Sequence, residues 1–378
     1  MTPYPGNAEV LDILAHAGGA RRKPAFRLHQ LSIDGRLVPM REVASAIRPF
    51  CILRSFGRNG ADDPPVLIVT PWSGQYAAVF SDLIQGLAPD HTVYVTDWID
   101  AALIPLAEGG FDLDSMIDYI IGFIGLLGPA VHVIATSQSG VPVLAAAALT
   151  ATANDCNRPR SLILMGGLID TRLNPTPMNR MARGLFGNPG LARWAEHALI
   201  RPVPAGMPGA GRLVYPALIQ LAGLGSYLLR RLSPQSPTLL HAFQNVLVGD
   251  GEPATAHRQL YHDFLTLMDL PAELYLQTVR TLFRDDALPS GRMHWRGTLV
   301  DPAAIHDTGL MTVEAGHDDI SGRGQTCAAH ELCPHIPNGR RLRHVEPDVG
   351  HLGMFHGRRW LTSVLPRLRR FIRDNRPA

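Results

Sequence analysis

The residues with the clearest chemical potential are a serine inside an apolar stretch and, late in the chain, two aspartates and a histidine. Ser137 interrupts the run "VHVIATSQSGVPVLAAAAL" and has small residues, Ala135 and Ser139, two positions away on either side. Small flanking residues relieve crowding where a nucleophilic serine is held on a sharp strand-to-helix turn. A serine before a helix can equally be an N-cap. The sequence leaves both interpretations of Ser137 open at this point.

A nucleophilic serine needs a histidine base and an acid that orients the base, because its hydroxyl is a poor nucleophile at neutral pH. Asp318 and Asp319 follow the strand-like run "GLMTVEA", and His351 follows the strand-like run "RLRHVEP". The order serine, aspartate, histidine on three strand ends predicts a triad for acyl transfer. A solvated turn is the alternative for the two aspartates. Three further histidines are weaker candidates for the base: His317, His344 and His356.

The negative oxygen that develops on an attacked carbonyl needs at least two hydrogen-bond donors. The backbone N–H of Gln138 is the first candidate because it directly follows the serine. The second is expected from the loop "TPWSGQY", at Trp72 or Ser73, where Gly74 permits a tight backbone approach. An ordinary turn is the alternative for "PWSG".

These residues must be positioned by strands that are buried on both faces. The apolar runs "VLIVT", "TVYVTDW", "VHVIATS" and "SLILMGG" are separated by helix-length segments. Continuous apolar runs that alternate with helices predict a mostly parallel sheet with helices on both faces. Helices are expected over 77–87, over 113–127 and from 141 onward. A hairpin of two strands over 26–33 and 37–43 and a third strand over 51–56 precede them.

The alternation of strands and helices stops at Asp170 and returns near residue 306. The intervening residues suggest short helices joined by loops that are rich in proline and glycine. We therefore predict an α/β-hydrolase fold whose core is formed by residues 1–169 and 306–378. Residues 170–305 are predicted to be an inserted, mainly helical cap.

Composition excludes several classes of protein. With 46% hydrophobic residues, 18% charged residues and a net charge of +2, the chain is globular and lacks the basic excess of a nucleic-acid binder. Glycine and proline break the longest apolar runs below the roughly 20 residues that a membrane span needs. The N-terminus lacks the features of a secretory signal, so a cytoplasmic location is expected.

The cysteines are too sparse for a disulfide scaffold in a chain of this length. The stretch "CAAHELCPH" brings four potential metal ligands together: Cys327, His330, Cys333 and His335. It lacks the paired C-x-x-C spacing of a structural zinc site. An ordinary helix with small buried thiols is expected here, with metal binding as the alternative.

From about Lys23 to Ile372 the chain resembles the intracellular poly(3-hydroxybutyrate) depolymerases, relatives of the polyhydroxyalkanoate synthases. The stretches that carry the resemblance are "VYVTDWIDA", "MGGLID", "LMTVEAGHDDISGRGQT" and "GHLGMFHGRRW". In that family the nucleophile precedes glutamine, the acid lies in a D-x-I segment and the base follows glycine. The resemblance thus implies Ser137 as nucleophile, Asp318 rather than Asp319 as acid, and His351 as base.

One position departs from the family pattern. Well-known members, and the synthases, carry cysteine where this chain has Ser137. A synthase holds its growing chain as a thioester, which keeps the reactivity needed for transfer to a hydroxyl, whereas an oxygen ester favours hydrolysis. Serine therefore argues against a synthase.

The expected function is hydrolysis of an aliphatic polyester at the surface of a polymer granule, without a metal or nucleotide cofactor. Two alternatives use the same fold. One is an esterase for small esters, and the other is an acyltransferase, for example one that transfers the acyl group to coenzyme A by thiolysis. A third alternative is a granule-binding protein without catalysis.

Overall fold

The computed structural model describes residues 22–58 and 63–376. The N-terminal residues on which the secretory-signal expectation mainly rests, 1–21, lie outside this part. The first strands are β1 (Gln30–Ile33), β2 (Arg36–Arg48), β3 (Cys51–Arg58), β4 (Pro65–Val69), β5 (Thr92–Trp98), β6 (His132–Thr136) and β7 (Ser161–Met165). Short strands follow at β8 (Arg201–Pro202), β9 (Leu213–Tyr215), β10 (Leu270–Pro271), β11 (His294–Trp295) and β12 (Thr298–Leu299). The last strands are β13 (Gly309–Ala315) and β14 (Arg341–Glu346).

Nine of the described strands form one central sheet in the order β1-β2-β3-β5-β4-β6-β7-β13-β14. The six strands from β5 to β14 in this order pair in parallel. Strands β1, β2 and β3 extend one edge with antiparallel pairs. The mostly parallel sheet confirms the predicted fold class. It also brings the C-terminal ends of β4, β6, β13 and β14 to a single edge, where ligands bind in open α/β sheets.

The antiparallel edge differs slightly from the prediction. The hairpin turns at Asp34 and Gly35, which both have positive φ (49° and 76°), as a two-residue hairpin turn requires. The first strand begins at Gln30 rather than at Phe26. Arg27 has a φ of 54°, which breaks the extended backbone upstream of the strand.

Helices cover both faces of the sheet. Around the core they are α1 (Ser81–Leu87), α2 (Leu113–Leu127), α3 (Gly140–Thr152), α10 (Ala329–Leu332), α11 (Gly357–Arg359) and α12 (Leu365–Asp374). Helix α2 has the predicted bounds, and its N-cap Asp112 accepts from the N–H of Ser115 at 2.8 Å. The first turn predicted for α1 is a separate 3-10 helix over Ala77–Phe80.

The two faces hold separate cores because alternate strand residues point in opposite directions. Leu67 and Val69 of β4 pack in one cluster with residues of α2 and α3. Val66 and Ile68 pack in the other cluster with residues of α1 and α12. All four side chains are fully buried, and burial of an aliphatic side chain contributes about 2 kcal/mol. Burial on both faces explains the continuous apolar runs of the sequence.

Between β7 and β13 the chain forms short helices: α4 (Pro177–Gly187), α5 (Pro189–Leu199), α6 (Ala217–Leu229), α7 (Leu239–Phe243), α8 (Arg258–Leu265) and α9 (Ala272–Val279). Two small sheets accompany them, β10-β9-β8 and β11-β12. We call residues 170–305 the cap, and its separation from the core as a domain stays a prediction. No helix in the described residues is long and apolar enough to cross a membrane.

Candidate active site

Ser137 lies on the turn between β6 and α3, in a 3-10 helix over Ser137–Ser139. Its φ is +54°, in the left-handed region that non-glycine residues rarely adopt. Such a conformation costs on the order of 1–3 kcal/mol and persists only where the surrounding structure fixes it. The hydroxyl contacts His351, and α3 has no side-chain N-cap bond. The geometry therefore matches the strained turn of a nucleophile and not an N-cap.

Close packing behind the turn explains its small residues. The Oγ of Ser139 donates to the carbonyl oxygen of Val69 at 2.7 Å, which ties the turn to the end of β4. A Cβ on Gly140 would lie 3.2 Å from the Cα of Gly167, so backbone from the end of β7 crosses close to the start of α3. Ala135 is fully buried in the last residues of β6. A side chain at Gly140 would therefore press on the backbone at Gly167, so the turn and the end of β7 would have to move apart.

The serine belongs to a chain of hydrogen bonds that joins three strand ends. The Nδ1 of His351 lies 2.7 Å from the Oδ2 of Asp318, and the Nε2 of His351 lies 3.1 Å from the Oγ of Ser137. Because a carboxylate only accepts, His351 donates from Nδ1, and its Nε2 accepts from the serine hydroxyl. All three residues are buried. These distances fit the geometry that a nucleophile, a general base and an orienting acid require; the three roles stay predictions.

Asp318, the candidate acid, is held by its own loop. The Oδ1 of Asp318 accepts from the N–H groups of Ile320 and Ser321, at 2.7 and 2.8 Å. These bonds fix the carboxylate and leave Oδ2 for the histidine. Further along the loop, the N–H of Cys327 donates to the buried carboxylate of Glu314 at 2.9 Å. Glu314 lies in β13, so the loop that carries the acid is anchored to the strand that precedes it.

Two glycines make room for His351, the candidate base. A Cβ on Gly350 would lie 2.2 Å from the carbonyl oxygen of Val246, because the loop before His351 packs against cap backbone. Gly166, at the end of β7, has a φ of +61°, and a Cβ there would lie 2.7 Å from the Cε1 of His351. The glycine in "MGGLID" thus borders the imidazole directly. This motif carries part of the resemblance, but its residues alone gave no indication that Gly166 contacts His351.

Asp319, the neighbouring aspartate, points to the cap. Its Oδ2 accepts from the hydroxyl of Tyr227 and from the guanidinium of Arg231, both at 2.7 Å. Burial, followed by the bond to this carboxylate, raises the pKa of Tyr227 above its ordinary value. The two aspartates therefore have different partners, and neither forms a purely solvated turn.

The other candidate histidines make their contacts elsewhere. The Nδ1 of His356 lies 3.1 Å from the Oδ2 of Asp82, and the Nε2 of His344 lies 3.4 Å from Glu346. His317 follows β13 and donates its backbone N–H to the carbonyl oxygen of Val349. The structure brings His351 to the serine and gives these three histidines no such contact.

The predicted oxyanion loop follows β4. Gly74 has a φ of +103°, which favours glycine at this position. The Trp72 ring stacks on that of Trp98 at a centroid distance of 5.1 Å, and the Oγ of Ser73 donates to the side-chain oxygen of Gln75 at 3.0 Å. The Ser73 hydroxyl is thus engaged within the protein, whereas the buried Nε1 of Trp72 has no hydrogen-bond partner among the described residues. Backbone N–H groups of this loop are the expected oxyanion donors. Gln138 directly follows the serine; its role and those of Trp72 and Ser73 stay predictions.

A cavity of about 650 Å³ opens beside the start of β3 and the end of β5. Apolar residues such as Trp98 and Met207 line it, together with Lys23 and Arg54. Both cations bind the buried carboxylate of Asp97. Because these charges are paired, the cavity is not an anion site, and the residues of the hydrogen-bonded chain do not line it.

The four residues of the cysteine and histidine cluster differ in burial: His330 and Cys333 are buried, Cys327 is half-buried and His335 is exposed. His330 contacts the hydroxyl of Thr312 at 3.1 Å, and burial lowers its pKa to about 4. Burial raises the pKa of Cys333 to about 12, whereas a metal-binding thiol is deprotonated. His335 is exposed and contacts a backbone carbonyl oxygen. The described residues contain no group of three or more side chains suited to hold a metal ion.

Comparisons with known proteins address the family and the fold. A family model described as PHB de-polymerase C-terminus matches residues 166–376, more than half of the chain. The matched region includes Asp318 and His351 and begins after Ser137. No curated protein matches the chain significantly.

Solved structures of distant sequence share the fold. A monoacylglycerol lipase of Paleococcus ferrophilus has a TM-score of 0.51 and 13% identity, over 86% of this chain and 99% of that chain. A haloalkane dehalogenase of Agrobacterium tumefaciens C58 has a TM-score of 0.51 and 10% identity, over 88% of this chain and 97% of that chain. At such low identity the similarity shows the α/β-hydrolase fold alone.

Proposed function

We propose, since the chain belongs to the PHB de-polymerase C-terminus family and is a carboxylic ester hydrolase, that it depolymerises poly(3-hydroxybutyrate) through a serine acyl-enzyme. The observation that carries the proposal is the buried hydrogen-bonded chain from Ser137 through His351 to Asp318. It starts at a serine whose strained backbone conformation is typical of a nucleophile on this fold.

In the first half of the reaction, the Oγ of Ser137 attacks the carbonyl carbon of an ester while the Nε2 of His351 takes its proton. Asp318 stabilises the imidazolium that forms, because its carboxylate accepts from Nδ1. Backbone N–H groups of Gln138 and of the loop at Trp72 and Ser73 are the donors for the oxyanion. When the tetrahedral intermediate collapses, the bond to the alcohol oxygen breaks, and His351 returns the proton to that oxygen.

In the second half, water replaces the alcohol. His351 removes a proton from the water as it attacks the acyl carbon, and the bond to the Oγ of Ser137 breaks. The proton goes back to the serine, and a carboxylic acid leaves. Ser137 holds the acyl group as an oxygen ester, which is less reactive toward transfer to a hydroxyl than the thioester that a cysteine would form, and this favours hydrolysis.

An exposed apolar surface on the cap supports a polymer substrate. We define the apolar cap surface as Met178 and Met181 of α4 with Leu191 and Trp194 of α5, which are 37–65% exposed. Exposed apolar patches mark sites that contact other apolar surfaces. The side-chain amide of Asn179, next to Met178, donates to the carbonyl oxygen of Ile320 in the acid loop at 3.2 Å. Helix α4, which carries part of the apolar cap surface, is therefore bonded to the acid loop, and this surface is suited to contact a polyester granule.

The experiment compares two substrates in the parent and the Ser137→Ala variant. Amorphous poly(3-hydroxybutyrate) granules are expected to release 3-hydroxybutyrate or its oligomers faster than short nitrophenyl esters turn over. Product formation is expected to be independent of coenzyme A and absent in the variant. A Ser137→Ala protein as active as the parent would overturn the mechanism, and turnover of short esters alone would favour a small-ester esterase.

A further inference from the structure

Helix α6 of the cap packs against the loop predicted to provide an oxyanion donor. Gln220, near the first turn of α6, donates through Nε2 to the carbonyl oxygens of Tyr215 and Met268, each at 3.0 Å. The N–H of Met268 donates to the carbonyl oxygen of Gly74 at 2.8 Å. A Cβ on Gly74 would lie 2.0 Å from the Oε1 of Gln220. The start of α6 thus holds this loop through direct contact and through one intervening backbone bond.

The other end of α6 holds the acid loop. Tyr227 lies on the same side of the helix as Gln220, because seven residues make close to two turns, and about 10 Å further along the axis. Its hydroxyl donates to the Oδ2 of Asp319 at 2.7 Å. Arg231 donates to the same oxygen, and its guanidinium lies 5.2 Å from the centre of the Tyr227 ring. Asp319 directly follows the Asp318 that contacts the base, so this junction borders the candidate acid.

We propose that helix α6 is a positioning element for the reaction, in which Tyr227 and Arg231 set the acid loop through Asp319 while Gln220 sets the oxyanion loop. The two loops follow β4 and β13, which lie on opposite sides of β6 in the sheet, and α6 contacts both loops. Seating of α6 therefore aligns the base-orienting carboxylate and the oxyanion donors together. This inference rests on the proposed function, since it assigns a role relative to the same serine.

The test uses a short nitrophenyl ester, which needs no polymer contact, and the variants Tyr227→Phe, Asp319→Asn and their double. Each single variant is expected to lower kcat about ten-fold with little change in KM, because small misplacements of reacting groups reduce the rate without removing binding. The kcat of the double variant is expected to be no lower than that of the less active single variant, because both changes break the same junction. Gln220→Leu is expected to lower kcat by a similar factor through the other loop.

Ser226→Ala is the matched control, because the Ser226 hydroxyl bonds within α6, to the carbonyl oxygen of Ala222, and touches neither loop. It is expected to keep the parent kcat. Thermal melting of every variant separates positioning from stability, since a purely structural role would lower the melting temperature and leave kcat of the folded protein unchanged. Parent-like kcat in both Tyr227→Phe and Asp319→Asn would overturn the inference while a dead Ser137→Ala protein kept the proposed function. An active Ser137→Ala protein would overturn both.

Discussion

The Oγ of Ser137 and the Nε2 of His351 lie 3.1 Å apart although 214 positions separate the two residues in the chain. Parallel β6 and β14 bring them together, because the loops that follow both strands leave the same edge of the sheet. The third member of the site, Asp318, follows β13, which lies between β7 and β14. The sheet order therefore brings the loops that carry the three residues to one edge, and the contacts of those loops set the final alignment.

The two adjacent aspartates give a matched pair of variants. Asp318→Asn is expected to lower kcat by about 10³–10⁴-fold, because an amide cannot stabilise the imidazolium and favours the wrong tautomer of His351. Asp319→Asn is expected to cost far less, since this carboxylate binds Tyr227 and Arg231. Steady-state kinetics on a nitrophenyl ester measures both. Equal losses in the two variants would contradict the assignment of Asp318 as the acid.

A methyl group at Gly166 is expected to displace the base. The Cβ would lie 2.7 Å from the Cε1 of His351, and the φ of +61° is strained for alanine. We expect Gly166→Ala to lower kcat by at least about ten-fold, because the imidazole must move from its bond with the serine. Gly184→Ala in α4 is the control, since no atom lies within 4 Å of its Cβ. That change is expected to stabilise the helix by about 0.5–1 kcal/mol and leave kcat unchanged.

The apolar cap surface is expected to act on granules and not on soluble esters. Trp194 is 64% exposed and Met181 is 65% exposed, so replacing both with serine removes apolar contact area at no cost to the core. The variant is expected to adsorb to amorphous granules less and to release product from them more slowly. Its kcat/KM on a short nitrophenyl ester is expected to match that of the parent. Unchanged adsorption would exclude this surface as the granule contact.

Buried histidines are expected to make the protein less stable in acid. Burial lowers the pKa of His330 to about 4 and that of His132 to about 3, whereas an unfolded histidine titrates near 6.5. The unfolded chain then binds protons first, so the free energy of unfolding falls as the pH drops from about 6.5 toward these values. Above about pH 6.5 these histidines are neutral in both the folded and the unfolded chain, so they cause no loss of stability there.

Urea unfolding at pH 7.5 and pH 4.5 measures this loss. His330→Gln, which can keep a bond to the hydroxyl of Thr312, is expected to lose less stability between the two pH values than the parent. His335→Gln is the control, because His335 is exposed. An identical pH dependence in the parent and in His330→Gln would contradict the role of His330.

The sequence predicted the parts of the fold that depend on local periodicity. Apolar runs such as "VLIVT" gave β4, β5, β6 and β7 within one or two residues, because strands buried on both faces leave a strong signal. The order and spacing of Ser137, Asp318 and His351 predicted which side chains would meet. Their catalytic roles stay predictions until variants are measured.

Long-range contacts had no local signal. The hydrogen bond between Tyr227 and Asp319 joins residues 92 positions apart, and only folding of the cap brings them together. The contact of Gly166 with His351 depends on backbone from β7 passing beside the base loop. The short strands of the cap, such as β9 and β10, pair over only two residues, which is too few for a period-two pattern to be read.

The most direct test of the central claim is to react the protein with a fluorophosphonate, which forms a covalent bond with activated serines, and to map the adduct by mass spectrometry. We predict one adduct, on Ser137, whose formation parallels the loss of ester hydrolysis and which is absent in His351→Ala. An adduct on another residue, or full activity with Ser137 completely modified, would contradict the account.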